Sequence, residues 1–308
     1  MRIGIISDAE SFMPLAGALV SQKIQVLLFY SPNADIYINQ KVDAFAKQFR
    51  LPVTTESNKD TDIYNWLWQN KLEVCLIIGY NRLLILDKLN GLSTKLFNIH
   101  FGSLPYFKGP SPVFWQLKKG GDQLGLCIHR LNDKFDSGAI YWMKEIPNLP
   151  HYNFKFVSYI FSQLCVEGAF FILQCLFNNI PLVEIKREGQ MSAYQKRPTL
   201  ADVSIDWNQM TASEICHLIK ACNPWNKGAI TFWKKQEIKL MNAKVIGSGD
   251  EQPGTIISTD DKLQIVSADK KILEVSMLFY MDSYWSAYQL KELGFSSGDA
   301  FESHLSFI

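Results

Sequence analysis

The sequence predicts an α/β protein: a mostly parallel, Rossmann-like sheet with helices on both faces, followed by a small OB-like β-barrel. Three observations carry this. Across residues 2–100, short runs that are apolar at every position alternate with segments of helical spacing, as strands buried on both faces require. A long amphipathic helical pattern then covers residues 153–177. Beyond residue 206, five short strand patterns follow one another with turn signals between them. A chain of 308 residues suits two domains. The expected division is a first domain over residues 1–180, a linker over 181–205 and a second domain over 206–308.

The elements follow in order. Residues 2–7 form an apolar strand that ends at Ser7-Asp8, and a helical pattern runs on through Leu19 to Gln22. Residues 24–30 are a second buried strand, and residues 36–49 have helical spacing. Val53-Thr54 opens a short third strand. Residues 60–70 read as a helix, with Asp60 and Thr61 as candidate N-caps. Residues 74–78 are a continuous apolar strand and residues 97–100 the next. In such sheets ligands bind beyond the carboxyl ends of the strands, where residues 79–82 and 98–105 lie. The first strand runs into Ser7-Asp8-Ala9-Glu10 without a GxGxxG, so a dinucleotide site is not expected. Residues 124–131 and 140–146 read as a hairpin around a turn at Asp136. Pro181, Gly189 and Pro198 mark the linker. A helix is expected over residues 212–221, stopped by Asn223-Pro224. Strands follow over residues 229–232, 238–245, 254–258, 262–266 and 272–277.

Composition narrows the function classes. The net charge is +1 and 47% of residues are hydrophobic, so no global basic field invites nucleic acid or anionic lipid. From Ala201 onward there are 10 Lys/Arg against 14 Asp/Glu, a net of −4. A polynucleotide-binding domain would carry the opposite sign. The six cysteines form no CxxC pair and mostly sit in apolar runs. They read as small buried hydrophobes in a reducing compartment. The chain opens directly as a strand without a signal-peptide pattern. Ser158, Ser162, Gln163, Glu167 and Gln174 interrupt the most apolar long segment, so no membrane span is expected. The cytoplasm is the expected location.

The chemistry concentrates in residues 97–138. Asn98 and His100 stand at i and i+2 of a strand end and so project to one face. A loop set by Gly102, Pro105 and Gly109 follows, and Asp136-Ser137-Gly138 supplies a carboxylate in a tight turn. An amide, an imidazole and a carboxylate suit acyl-group chemistry. The amide and a protonated imidazole hold an oxyanion, and the carboxylate sets the charge of the imidazole. No His, Cys or carboxylate set has metal-ligand spacing, so no metal is expected.

The N-x-H, SLP, G-x-x-P and D-x-G elements, so spaced, resemble those of the 10-formyltetrahydrofolate-dependent formyltransferases. Gly79-Tyr80-Asn81-Arg82-Leu83-Leu84 resembles that family's folate-contacting loop. Ser204-Ile205-Asp206-Trp207, Asn223-Pro224-Trp225 with Gly228-Ala229, and Pro253-Gly254-Thr255-Ile256 resemble the C-terminal part of the methionyl-tRNA formyltransferases and their amino-sugar relatives. The resemblance covers nearly the whole chain. It implies 10-formyltetrahydrofolate as co-substrate, oxyanion stabilisation by Asn98 and protonated His100, and Asp136 as the group that keeps His100 charged and helps move the amine proton. It further implies folate contacts along Arg82, Leu83 and Leu84, along Ser103, Leu104 and Pro105, and along Asn132, Asp133 and Phe135. Arg82 also reads as an ordinary surface charge. His129 matches a histidine of part of the family and reads here as structural. Gly102 precedes the serine and one leucine of the commoner SLLP is replaced, which leaves the exact loop contacts open.

The acceptor is the open question. The tRNA enzymes of the family resemble one another in a basic insertion after the second strand. Residues 31–40 here carry one negative charge and no Lys or Arg. With the acidic C-terminal domain, this favours a small-molecule or nucleotide-sugar amine over tRNA. Lys227, Lys234, Lys235, Lys239 and Lys244 would rescue tRNA binding if they shared one free face of the barrel. Otherwise they are strand-edge lysines that deter aggregation. Hydrolysis of the folate, or folate binding without turnover, fits less of the sequence. Tyr106-Phe107 and Phe114-Trp115 are candidates for a pocket lining or for core.

Overall fold

The computed structural model describes residues 1–187 and 194–303. The remaining linker residues and the last five positions lie outside the described residues. Two compact units result, and they do not follow chain order. The first comprises Met1–Pro112, Leu124–Ile146 and Ser158–Gln195, the second Val113–Gln123, Pro147–Val157 and Lys196–Ile308.

The first unit is built on one seven-stranded sheet of β1 (Arg2–Ser7), β2 (Gln25–Tyr30), β3 (Val53–Thr55), β4 (Val74–Ile78), β5 (Lys95–His100), β6 (Gln123–Arg130) and β7 (Ile140–Pro147). Their order is β3-β2-β1-β4-β5-β6-β7. The pairs among β3, β2, β1, β4 and β5 are parallel, and β6 runs antiparallel to β5. All of β4 is buried, and so is β1 from Ile3 on, which accounts for runs without polar alternation. The helices α1 (Met13–Ser21), α2 (Ile36–Phe49) and α3 (Asp62–Gln69) are the crossovers. Asp35 starts α2 by accepting the Tyr37 N–H at 2.9 Å. From α3, Ile63, Trp66 and Leu67 share one cluster with Ile6, Leu27, Phe29, Cys75 and Ile77 of the sheet. This helix begins at Asp62 rather than Asp60. The Asp62 carboxylate takes the backbone N–H groups of Ser57 and Asn58 at 2.8 and 2.7 Å, which holds residues 57–61 in a turn.

Helix α4 (Pro112–Lys119) is not anticipated by the sequence pattern. It starts on Pro112, whose fixed φ suits a first turn. Its Phe114 is fully buried in the second unit, and the Trp115 indole donates to the Lys196 carbonyl at 3.0 Å. Helix α5 (Phe154–Phe177) is long and apolar enough to cross a membrane by composition alone. Its inner face is core: Phe161, Cys165, Ala169 and Ile172 have no exposure, and Gly168 lies against Trp142 of β7 and Ile128 of β6.

The second unit continues with α6 (Leu200–Val203) and α7 (Ala212–Cys222). Reciprocal bonds between Thr211 and Glu214 cap α7. Then follow β8 (Ala229–Trp233), β9 (Gln236–Ser248), β10 (Ile256–Ser258), β11 (Leu263–Val266), β12 (Lys271–Tyr280) and β13 (Ser283–Ser286). They make an antiparallel sheet in the order β10-β11-β12-β9-β8, with β13 paired to β12. Residues 299–303 join its two ends. Phe232 exchanges backbone bonds with Glu302, and the Phe301 N–H donates to the Gly254 carbonyl at 2.9 Å. Trp207 fills the core, stacked on Phe301, with its indole N–H on Thr231 Oγ1 at 2.8 Å.

Candidate active site

Strand β5 ends in Asn98-Ile99-His100. Ile99 is buried in the sheet, and Asn98 and His100 leave together on the opposite face. β4 runs parallel beside β5, with Ile78 opposite Ile99, so the loop after β4 and the loop after β5 emerge at one edge. On the other side, antiparallel β6 sets His129 directly across from Asn98. Cross-strand partners share a face.

Asp136 arrives from the turn between β6 and β7. Its φ of 49° is left-handed, a conformation that Asp tolerates better than most residues. The turn is shaped by Asn132, whose Oδ1 accepts from the Lys134 N–H at 3.0 Å and from the Ser137 hydroxyl at 2.9 Å. Asp136 Oδ1 then lies 3.3 Å from His100 Nδ1, 3.2 Å from Asn98 Nδ2 and 3.5 Å from His129 Nε2. Its Oδ2 accepts the Gly109 N–H at 2.8 Å. The backbone of Gly109 is at φ 117°, and a side chain there would strike the Gln195 carbonyl.

His100, His129 and Asp136 are all buried. Burial works to raise the Asp136 pKa. His100, the neighbouring His129 and the Gly109 N–H outweigh it and hold the carboxyl at about 2, so the group is ionised at neutral pH. For His100, burial lowers the pKa, and Asp136 and the Phe107 carbonyl only partly restore it. The permanently charged imidazole expected from the motif is therefore disfavoured in the free protein. Yet both ring nitrogens face acceptors: Nδ1 the carboxylate, and Nε2 the Phe107 carbonyl at 2.6 Å. A second proton has a place ready once negative charge develops nearby. The loop that supplies the Phe107 carbonyl is itself pinned. Ser103 donates to Glu145 at 2.9 Å, Arg187 reaches Glu145 at 3.0 Å and Ser103 Oγ at 2.5 Å, and the Arg187 guanidinium lies over the Tyr106 ring.

The structure thus brings Asn98, His100 and Asp136 together. The expected folate-contacting residues line the surrounding loops without a hydrogen bond to this trio among the described residues. The Arg82 guanidinium is occupied by Glu56, the Tyr80 hydroxyl and the Lys59 carbonyl. It is an anchor of its loop rather than a free surface charge. Leu84 and Leu104 are core side chains, Ser103 is buried, and Pro105 follows a cis peptide. Asp133 is exposed. Leu83 and Phe135 are exposed at 37% and 38% and offer apolar surface at the rim. The sequence reading missed His129 as a member of the cluster. The antiparallel pairing of β5 with β6 would have found it, because that register places His129 opposite Asn98.

Residues 14–159 match the formyl transferase family and residues 199–281 its C-terminal domain. The chain belongs to the formyltransferase family. The family's activity is folate-dependent formyl transfer, and this formyltransferase is an enzyme of that class. It is 26% identical over 269 residues to the methionyl-tRNA formyltransferase of Carboxydothermus hydrogenoformans, covering 85% of this chain and 86% of the relative. In fold it is similar to the N-formyltransferase from Helicobacter canadensis solved with folinic acid and dTDP-3-aminofucose, at TM-score 0.71 and 14% identity, over 89% of this chain and 98% of that one. It is also similar to HypX from Aquifex aeolicus, solved with tetrahydrofolic acid, at TM-score 0.66 and 14% identity. There the match covers 94% of this formyltransferase and 46% of HypX, so the chain spans about half of that protein's length.

Proposed function

We propose that the enzyme moves the formyl group of 10-formyltetrahydrofolate to the primary amine of a small molecule, a nucleotide-linked amino sugar above all, in the cytoplasm. The observation that carries the chemistry is the cluster of half-buried Asn98, buried His100 and ionised Asp136 at the strand ends. A neutral amine attacks the formyl carbon, and negative charge collects on the formyl oxygen. His100 Nε2 turns from the Phe107 carbonyl to that oxygen, and Asp136 at Nδ1 offsets the positive charge on the ring. The backbone around residues 82–84, 104–105 and 132–136 would carry the folate, with Leu83 and Phe135 against its flat ring.

The acceptor reading rests on charge. In the second unit Lys244 and Lys262 share Glu274, Lys239 pairs with Glu237, Lys234 with Asp299, and Lys227 lies over the Phe279 ring. Four of the five barrel lysines named above thus have partners within the protein, Lys235 being the exception among the described residues, and this makes a poor phosphate-binding surface. Residues 31–40 lead into α2 and supply no cation, and Lys41 pairs with Glu10 at 2.7 Å. The Helicobacter relative, bound to dTDP-3-aminofucose, is the kind of acceptor chemistry that remains. One observation favours tRNA instead: the sequence relatives include methionyl-tRNA formyltransferases over most of the chain. The test is purified enzyme with 10-formyltetrahydrofolate and, in parallel, dTDP-linked amino sugars and methionyl-tRNA. Formylated sugar supports the proposal. Formylated tRNA alone replaces it with the translation role.

A further inference from the structure

The amide of Asn98 is already spoken for. Its Nδ2 lies 3.2 Å from Asp136 Oδ1 and 3.1 Å from His129 Nε2. A carboxylate only accepts, so the edge of Asn98 that faces Asp136 must be the NH2. His129 Nδ1 stands 2.9 Å from the Arg130 carbonyl, which also only accepts, so Nδ1 carries a hydrogen. Nε2 faces the Asn98 NH2 at 3.1 Å, nearer than the 3.5 Å to Asp136 Oδ1, and with the ring hydrogen on Nδ1 it offers a lone pair to the second hydrogen of Asn98. Both amide hydrogens are used on the protein's own acceptors. Asn98 Oδ1, on the far side of the carboxamide, takes no hydrogen bond among the described residues.

We infer that Asn98 turns its carbonyl oxygen, not its NH2, toward the reacting groups, and that His129 is the positioning residue that locks it there. This rests on the formyl-transfer reading above and revises the role that the motif implies for Asn98. An acceptor oxygen repels an oxyanion and binds an N–H. Asn98 therefore orients the incoming amine, while His100 serves the formyl oxygen. As the amine lone pair forms the new C–N bond, the formyl π pair moves onto oxygen. On collapse the bond to N10 of the folate breaks, and that nitrogen takes up the proton the amine gives away. Asn98 Oδ1 accepts an amine N–H throughout and so aims the lone pair at the carbon. Register explains why His129 can do this: it faces Asn98 across a single strand pair.

The test has two arms. In enzyme labelled with 15N-histidine and 15N-asparagine, imidazole nitrogen NMR reads the His129 tautomer. Protonated Nδ1 and bare Nε2 are expected, with the Asn98 side-chain NH2 signals unmoved by saturating 5-formyltetrahydrofolate. A hydrogen on Nε2, or NH2 signals that move with the folate, overturns the inference. In the kinetic arm, His129→Phe frees the carboxamide to turn. It should lower kcat/KM for the acceptor by roughly 100-fold, the cost of misplacing a reacting group by about 1 Å, with 5-formyltetrahydrofolate affinity unchanged. His129→Gln, which restores an acceptor, should recover most of the loss. Equal losses in both variants, or a matching loss of folate affinity, would make His129 merely structural and refute the proposal. If no amine is formylated by the parent enzyme, the transfer reading fails first, and the NMR arm still decides the orientation of Asn98.

Discussion

Replacing Asp136 by asparagine removes one charge and almost no volume, so its effect can be worked from the bonds alone. The carboxylate serves donors on both oxygens: His100 Nδ1 and Asn98 Nδ2 on Oδ1, and the Gly109 N–H on Oδ2. An amide can accept on one side only. Its NH2 then faces either Gly109 or the His100–Asn98 pair, donor against donor. The charge that supports a protonated His100 is lost as well. We expect kcat to fall by about 100- to 1000-fold, equal to the ~2.7–4 kcal/mol typical of losing one oxyanion-stabilising group. Affinity for 5-formyltetrahydrofolate should hold, since the folate is expected on loop backbone. Steady-state transfer and fluorescence titration measure the two quantities. A variant that keeps a tenth of its kcat, or loses folate affinity in proportion, refutes the role given to Asp136. Stability supplies an independent check. The carboxyl stands at about 2 in the folded protein against 3.8 ordinarily, a difference of about 2 kcal/mol. A depressed carboxyl stabilises the fold above pH ~4, and this is lost as pH falls toward ~2. The stability gap between parent and variant in urea titrations should therefore be largest near neutrality and shrink across that window. A gap that does not change with pH contradicts the electrostatic account.

Three further outcomes are expected. Gly102→Ala places a Cβ 2.5 Å from His100 Nε2 and 2.7 Å from the Phe107 carbonyl. It should cost ~1–3 kcal/mol of stability and lower kcat, and full activity would show that the loop tolerates what the packing forbids. Only an unprotonated amine attacks, so acceptors whose amine pKa is about 8 should outrun lysine-like amines near about 10.4 at neutral pH. A rate series across amines reads this directly, and the reverse order would contradict it. Thr211→Ala removes the α7 capping box and should cost ~1 kcal/mol in thermal or chemical unfolding with transfer unchanged.

What the sequence made legible follows from which physical signals are local. The βα alternation and the apolar strands β1, β2 and β4 were readable because each is buried on both faces and so lacks polar interruption. Asn98, His100 and Asp136 were readable because strand period and turn chemistry are short-range. Helix α4 was hidden because Gly109-Pro110-Ser111-Pro112 looks like a loop, although Pro112 opens a helix. Strand β13 was hidden by a turn at Met281-Asp282, two non-glycine residues at positive φ. The place of His129 depends on the β5–β6 register, a non-local fact. Burial of His100, which lowers its pKa against the expected charge, likewise depends on segments far apart in the chain. The grouping of residues 113–123 and 147–157 with the C-terminal unit is a tertiary property that no contiguous reading of domains contains.

The proposed function is transfer of a formyl group to a small amine by a centre that has no use for a phosphate backbone. The most direct measurement is a competition: one reaction holding 10-formyltetrahydrofolate, a dTDP-linked amino sugar and methionyl-tRNA, sampled at low and moderate salt, with products identified by mass spectrometry. Formylated sugar at a rate that salt barely alters, and unmodified tRNA, are expected. Formylated methionyl-tRNA, falling steeply as salt rises while the sugar stays unmodified, would contradict the proposed function.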